Sequence, residues 1–152
     1  MKLDEIDKKI LAALQKSGRM SNGDLSDIVH LSPSACHRRV QRMESDGYIR
    51  NYVALLDPRK LGVPTTVFVE ITLQAQADEV LDAFERAVKR IPDVLECHLM
   101  AGTADYILKV VAEDTEDFAR IHRQYLARLP GVAQMQSSFA LRTVFKTTAL
   151  PV

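Results

Sequence analysis

The chain has 152 residues, 47% of them hydrophobic and 26% charged, the make-up of one ordinary folded domain or two small ones, which excludes a disordered chain. Its 20 basic residues balance 20 acidic ones, so attraction to a polyanion by bulk charge is excluded and any such binding needs a local patch. The longest apolar runs are too short to span a bilayer, and the N-terminus has no apolar signal-peptide core; a soluble cytoplasmic protein with no membrane partner is expected.

In "LDEIDKKILAALQ", Ile6, Ile10 and Leu14 recur at helical spacing, with Leu3 and Leu11 beside them. Asp4 is placed to cap this helix and Gly18 to stop it. Next, Ser21 and Asp24 suit the start of a short helix whose apolar face is Leu25, Ile28 and Val29. After a tight turn at Leu31 comes "LSPSACHRRVQRMESDGYI". Ser32 is an N-cap and Pro33 a first helical residue; Cys36, Val40 and Met43 share one face, and Asp46-Gly47 ends the helix. "YIRNYVALLD" then predicts a strand, and "LLDPRKLGVPT", with two prolines and a glycine, a linker over 53–64.

From Pro64 the period changes to two. "TTVFVEITL" predicts a strand with Val67, Val69, Ile71 and Leu73 on one face. A helix follows over "ADEVLDAFERAVKR", then strands over "VLECHLMA" and "YILKVVA" joined by "GTAD". A capped helix over "DTEDFARIHRQYLARL" points Phe118, Ile121, Tyr125, Leu126 and Leu129 inward. The last strand is expected from Val132 to about Thr147. The order βαββαβ is that of a ferredoxin-like domain, which predicts an α+β chain: a helix-turn-helix domain over 1–52 and a ferredoxin-like domain over 65–152. With both helices on one side of the sheet, the other face carries Phe68, Glu70, Glu96, His98, Met100, Ile107, Lys109, Gln136, Ser138, Ala140 and Arg142. That mixture suits a second copy's sheet, so a homodimer is expected.

The helix after Leu31 has the residue types of a DNA-reading helix. Opposite Cys36, Val40 and Met43 lie Ser34, His37, Arg38, Gln41, Arg42 and Ser45. Arginine pairs with guanine and glutamine with adenine, while serine, arginine and free N–H groups at a helix start hold phosphate. A solvated basic helix has the same composition; the two helices before it, at helix-turn-helix spacing, favour DNA contact. The candidate DNA-binding set is Ser21, Ser32, Ser34, Ala35, His37, Arg38, Arg39, Gln41 and Arg42.

"MAGTADY" offers the chemistry for a zwitterion: a Thr103 hydroxyl, turn N–H groups for a carboxylate, and Asp105 for an ammonium group, with Gly102 allowing close approach. Gly-x-x-Asp is also a plain β-turn with the aspartate on local backbone. No nucleophilic triad, P-loop or GxGxxG occurs, so no enzyme is expected. Cys36 and Cys97 read as small buried hydrophobes, and with His98 adjacent to Cys97 they do not make a metal site.

"LSPSACHRRVQRMESDGYI", the helices before it, "ECHLMAGTADYILKV" and "LPGV" together resemble the Lrp/AsnC (feast/famine) transcription regulators, in particular their leucine-responsive branch, over essentially the whole chain. The resemblance implies a transcriptional regulator, dimeric through the ferredoxin-like domain and assembled to octamers or other discs. It implies partners of double-stranded DNA and an amino-acid-type effector held between dimers, with no other cofactor. The family's Gly-x-x-Asp-Tyr signature falls on Gly102, Thr103, Ala104, Asp105 and Tyr106, and the effector-binding set becomes Met100, Ala101, those five residues, Gln136 and Ser138. Many relatives carry a basic arm ahead of the first helix; this chain has almost none there, which implies weaker non-specific affinity. A different class stays open on the residues alone: a ligand-binding or catalytic ferredoxin-like module whose helical domain binds protein.

Overall fold

The structure, a computed structural model, describes residues 2–152 and divides into two compact units. The first runs up to Leu55 and includes Phe145–Val152; the second is Leu56–Val144. The expected boundary kept the C-terminal tail with the second domain. The tail instead joins the first: Gln15 donates to the Leu150 carbonyl (2.9 Å) and accepts from its N–H (2.6 Å).

In the first unit, helix α1 spans Glu5–Lys16, α2 Asn22–Val29 and α3 Pro33–Ser45. Each starts at a side-chain cap, as the sequence predicts. Asp4 accepts from the Asp7 N–H, Ser21 from that of Asp24, and Ser32 from that of Ala35. The first two are reciprocal capping boxes, with Asp7 and Asp24 accepting back from the cap N–H groups. His30 ends α2 in the left-handed conformation, φ 56°, which turns the chain toward α3. Ile10, Leu11, Ala13, Leu25, Val29, Cys36 and Met43 form the core, so one stripe of each helix is buried and the other left to solvent.

No strand forms at 48–57, where one was expected. A strand exists only when its N–H and C=O groups meet another strand, and none is paired with this segment; Val53, Leu55 and Leu56 stand exposed.

The second unit is the βαββαβ arrangement. Strands β1 (Thr65–Leu73), β2 (Val94–Leu99), β3 (Tyr106–Ala112) and β4 (Val132–Phe139) make one antiparallel sheet in the order β2-β3-β1-β4. Helices α4 (Asp78–Val88) and α5 (Thr115–Gln124), the latter followed by a 3-10 turn at Leu126–Arg128, complete it. Val67, Val69, Ile71, Leu73, Tyr106, Leu108, Val110 and Ala112 alternate onto the core face, packed with Phe84, Phe118 and Ile121 of the helices. Phe84 packs tilted against Tyr106, ring centres 4.5 Å apart, and Phe118 meets Phe139 edge-on at 5.2 Å.

Three expectations here need correction. β4 ends at Phe139, not near Thr147, because its partner runs out: Phe139 pairs with Val67 and the Ala140 N–H reaches Thr66, one residue from the start of β1. Tyr125 is 37% exposed, since the chain leaves α-helical geometry just there. Cys97 is exposed, not buried, because β2 is an edge strand largely open to solvent.

Candidate functional site

In α3 the helical period sorts the candidate DNA-contacting residues into three groups. Cys36 and Met43 are fully buried, with Val40 packed beside them. Directly opposite are Ser34, Arg38, Gln41 and Ser45, all exposed. Among the described residues Arg38 and Gln41 make no hydrogen bond or ion pair, so their donors and acceptors are free for a ligand. Ser34 shares a contact with the cap hydroxyl of Ser32 at 3.2 Å.

The flanks of α3 are committed within the unit. On one, His37 Nδ1 lies 3.2 Å from Asn22 Nδ2 of α2. On the other, Arg39 Nη1 donates to Asp4 Oδ2 and Asp7 Oδ1, both at 2.7 Å. Arg42 Nη2 donates to both oxygens of Asp7, at 3.0 and 3.1 Å. Ala35 contributes its capped N–H, and Ser21 is taken up by the α2 capping box. Of the nine candidates, the structure therefore brings Ser34, Arg38 and Gln41 together on one open face and ties Arg39 and Arg42 to α1. The Asp7 N–H and the Arg39 guanidinium hold the Asp4 carboxyl down at about 2.

Sequence reasoning missed Asp7. It sits at the third position of α1, one turn from Leu11 on the buried side, and is 1% exposed. A carboxylate placed among the apolar positions of an amphipathic helix needs a cation; that was the available signal.

In the second unit, residues 100–105 connect β2 to β3. Asp105 is buried, and both its oxygens are taken within the chain: Oδ2 accepts from the Leu73 N–H at 2.7 Å and Oδ1 from Gln76 Nε2 at 2.8 Å. Its own N–H donates to the Ile71 carbonyl, and its carbonyl accepts from the Met100 N–H. Asp105 thus anchors the connection to the end of β1. Gln76 was not foreseen.

Tyr106 turns to the helix side, 1% exposed, with its hydroxyl donating to Glu85 at 2.7 Å; burial and the neighbouring carboxylate push its pKa well up. Strand alternation places it opposite the open sheet face. Met100, Ala101, Gly102 and Thr103 are exposed, and Ala104 is half-buried. Gln136 and Ser138 are exposed on the open face, but they pair with Glu70 and Phe68 of β1, which lies between β4 and β3. A single copy therefore does not bring them to the 100–105 connection, since two strand spacings are about 10 Å.

The open face has two cross-strand rows: His98, Ile107, Glu70, Gln136, and Glu96, Lys109, Phe68, Ser138. Glu96 accepts from His98 (3.1 Å) and Lys109 (3.3 Å), which together lower its pKa. Phe68 is 40% exposed at the centre of this face. Among the described residues no group of three His, Cys, Asp or Glu side chains is arranged to hold a metal ion, and no helix is long and apolar enough to cross a membrane.

Three helices with an open polar face on the third, followed by a ferredoxin-like sheet domain, define a two-part DNA-binding regulator. Residues 3–50 match the winged helix-turn-helix DNA-binding family, and residues 66–150 match the Lrp/AsnC ligand binding domain. The chain belongs to the Lrp/AsnC family of transcriptional regulators. It is 41% identical over 150 residues to the leucine-responsive regulatory proteins of Salmonella typhimurium and Escherichia coli, covering 99% of this chain and 92% of theirs. A Neisseria meningitidis transcriptional regulator solved as an L-Met complex superposes with a TM-score of 0.94 at 37% identity, covering 99% of this chain and 97% of the other. An AsnC family transcriptional regulator of Agrobacterium tumefaciens gives 0.94 at 38% identity, covering 98% and 97%.

Proposed function

We propose that this protein binds operator DNA in the cytoplasm by placing α3 in the major groove, with Ser34, Arg38 and Gln41 facing the bases and phosphates. The observation that carries this is the open polar face of α3: an exposed arginine and glutamine one turn apart, without partners among the described residues, opposite the buried Cys36 and Met43. A neutral chain needs two such helices to bind tightly, so the binding species is a homodimer, assembling further to octamers. The dimer forms through the open sheet face, where exposed Phe68 stands among charged and polar neighbours. An amino-acid-type effector bound at residues 100–104 between dimers shifts the assembly and so the spacing of the reading helices. The relatives' leucine-responsive name and the L-Met complex of the neisserial regulator support an amino-acid effector.

Selection of bound DNA from random sequence, with and without an amino-acid mixture, tests site and effector together. A gel shift with salt titration then tests the helix. Arg38→Ala should weaken a selected site by about 5- to 150-fold per half-site, the cost of one bidentate base contact. Equal binding by wild type and Arg38→Ala at every salt concentration would remove α3 from the interface.

A further inference from the structure

α3 carries three arginines within five positions, and the fold treats them in two ways. Arg38 is exposed and, among the described residues, has no hydrogen-bond or ion-pair partner. Arg39 and Arg42, one turn apart on the next face, both donate to Asp7, and Arg39 also bridges to Asp4. Two cations thus meet two carboxylates, and the cluster adds no net charge to the DNA-facing surface.

The anchor is rigid. Asp4 and Asp7 are the cap and third residue of α1 and hold each other's N–H groups, at 2.8 and 3.1 Å. Elsewhere α3 makes two exposed neutral-donor contacts, His37 with Asn22 at 3.2 Å and Glu44 with the Tyr52 hydroxyl at 2.9 Å, and its core contacts are apolar, through Cys36, Val40 and Met43. Apolar contact sets how close two helices lie but is not directional; a charge-assisted hydrogen bond is. The buried stripe of Cys36, Val40 and Met43 fixes which face of α3 is open, but a smaller rotation within that limit still shifts the tips of the long Arg38 and Gln41 side chains across that face. The ties from Asp7 to two successive turns of α3 resist that rotation.

We propose that Asp7 is a positioning residue for DNA reading: through Arg39 and Arg42 it sets the fine rotation of α3 within the limits of its buried stripe and holds both arginines out of phosphate contact. This rests on the DNA-binding function above. Each arginine on a phosphate adds about 0.9 to the slope of log K against log salt, or about 1.8 in a dimer.

The test is a salt titration of the full-length protein on a site it has selected and on a mixed-sequence duplex lacking that site. Arg39→Gln and Arg42→Gln should leave the salt slope unchanged while lowering the preference for the selected site. Asp7→Asn should steepen the slope and lower that preference at least about 10-fold, as freed arginines reach phosphates. A slope flatter by about 0.9 or more in both arginine variants, with site preference intact, would overturn the proposal. An unchanged preference in a folded Asp7→Asn protein would do so as well. If Asp7→Asn does not fold, the two arginine variants decide alone. Failure of the wild type to bind DNA at low salt overturns the DNA-binding function itself, and this inference with it.

Discussion

Asp105→Ala separates an anchor from a ligand contact. In the wild type the carboxylate holds the buried Leu73 N–H at 2.7 Å and the Gln76 amide at 2.8 Å. Truncation leaves the Leu73 N–H with no acceptor, which costs roughly 1–3 kcal/mol, and loses a hydrogen bond to a charged group worth roughly 1.5–3 kcal/mol. The two overlap, and removing a carboxylate that is only 8% exposed returns part of its desolvation cost. A net loss of about 2 kcal/mol is expected, read as faster hydrogen exchange at the Leu73 amide and through residues 100–105. Asp105→Asn keeps one acceptor for Leu73 and should cost about 1 kcal/mol or less. If residues 100–104 receive the effector as proposed, calorimetry with the standard amino acids should show binding weakened in the same order, Ala more than Asn, because that connection has loosened. If Asp105→Asn abolishes amino-acid binding while the Leu73 amide stays fully protected, the carboxylate receives the ligand directly and the anchoring argument is wrong.

Gly131 precedes β4 with φ +74°, and a Cβ there would lie 2.8 Å from Val80 Cγ1. Gly131→Ala should therefore cost about 2–4 kcal/mol in urea unfolding, against about 1 kcal/mol for Gly47→Ala, where φ is +80° but the space is open. Adding Val80→Ala to Gly131→Ala should recover the steric part; no recovery would place the whole cost in the backbone. Ser32→Ala removes the cap from the Ala35 N–H and should destabilise the first unit by about 1 kcal/mol, with fraying at the start of α3 seen by amide exchange. Asp4 should titrate near 2 by carboxyl-carbon NMR, below its ordinary 3.8. Its folded value is depressed, so its stabilisation is present above 3.8 and drains away as pH falls toward 2. In Arg39→Ala the midpoint should rise but stay below 3.8, because the Asp7 N–H is the larger cause.

The helices, their caps and the alternating strands were legible because each is written in a short window. Asp4, Ser21 and Ser32 act on an N–H three residues away, and Val67, Val69 and Ile71 need only each other's spacing. Expectations about pairing fared differently. The strand expected at 48–57 has apolar residues but no partner, and β4 stops where β1 begins, a limit set by a strand 66 to 74 residues away in sequence.

The candidate sites divide along the same line. The sequence alone determined which stripe of α3 is buried, and hence that Ser34, Arg38 and Gln41 lie opposite it, because a helix repeats every 3.6 residues whatever surrounds it. Only the tertiary structure decided that Arg39 and Arg42 belong to Asp7, 32 and 35 residues away, and that Asp105 answers to Leu73 and Gln76. Charged side chains of like composition are interchangeable until a fold brings one of them within hydrogen-bond reach of a buried partner. From that point the cost of leaving that partner unmatched assigns the role.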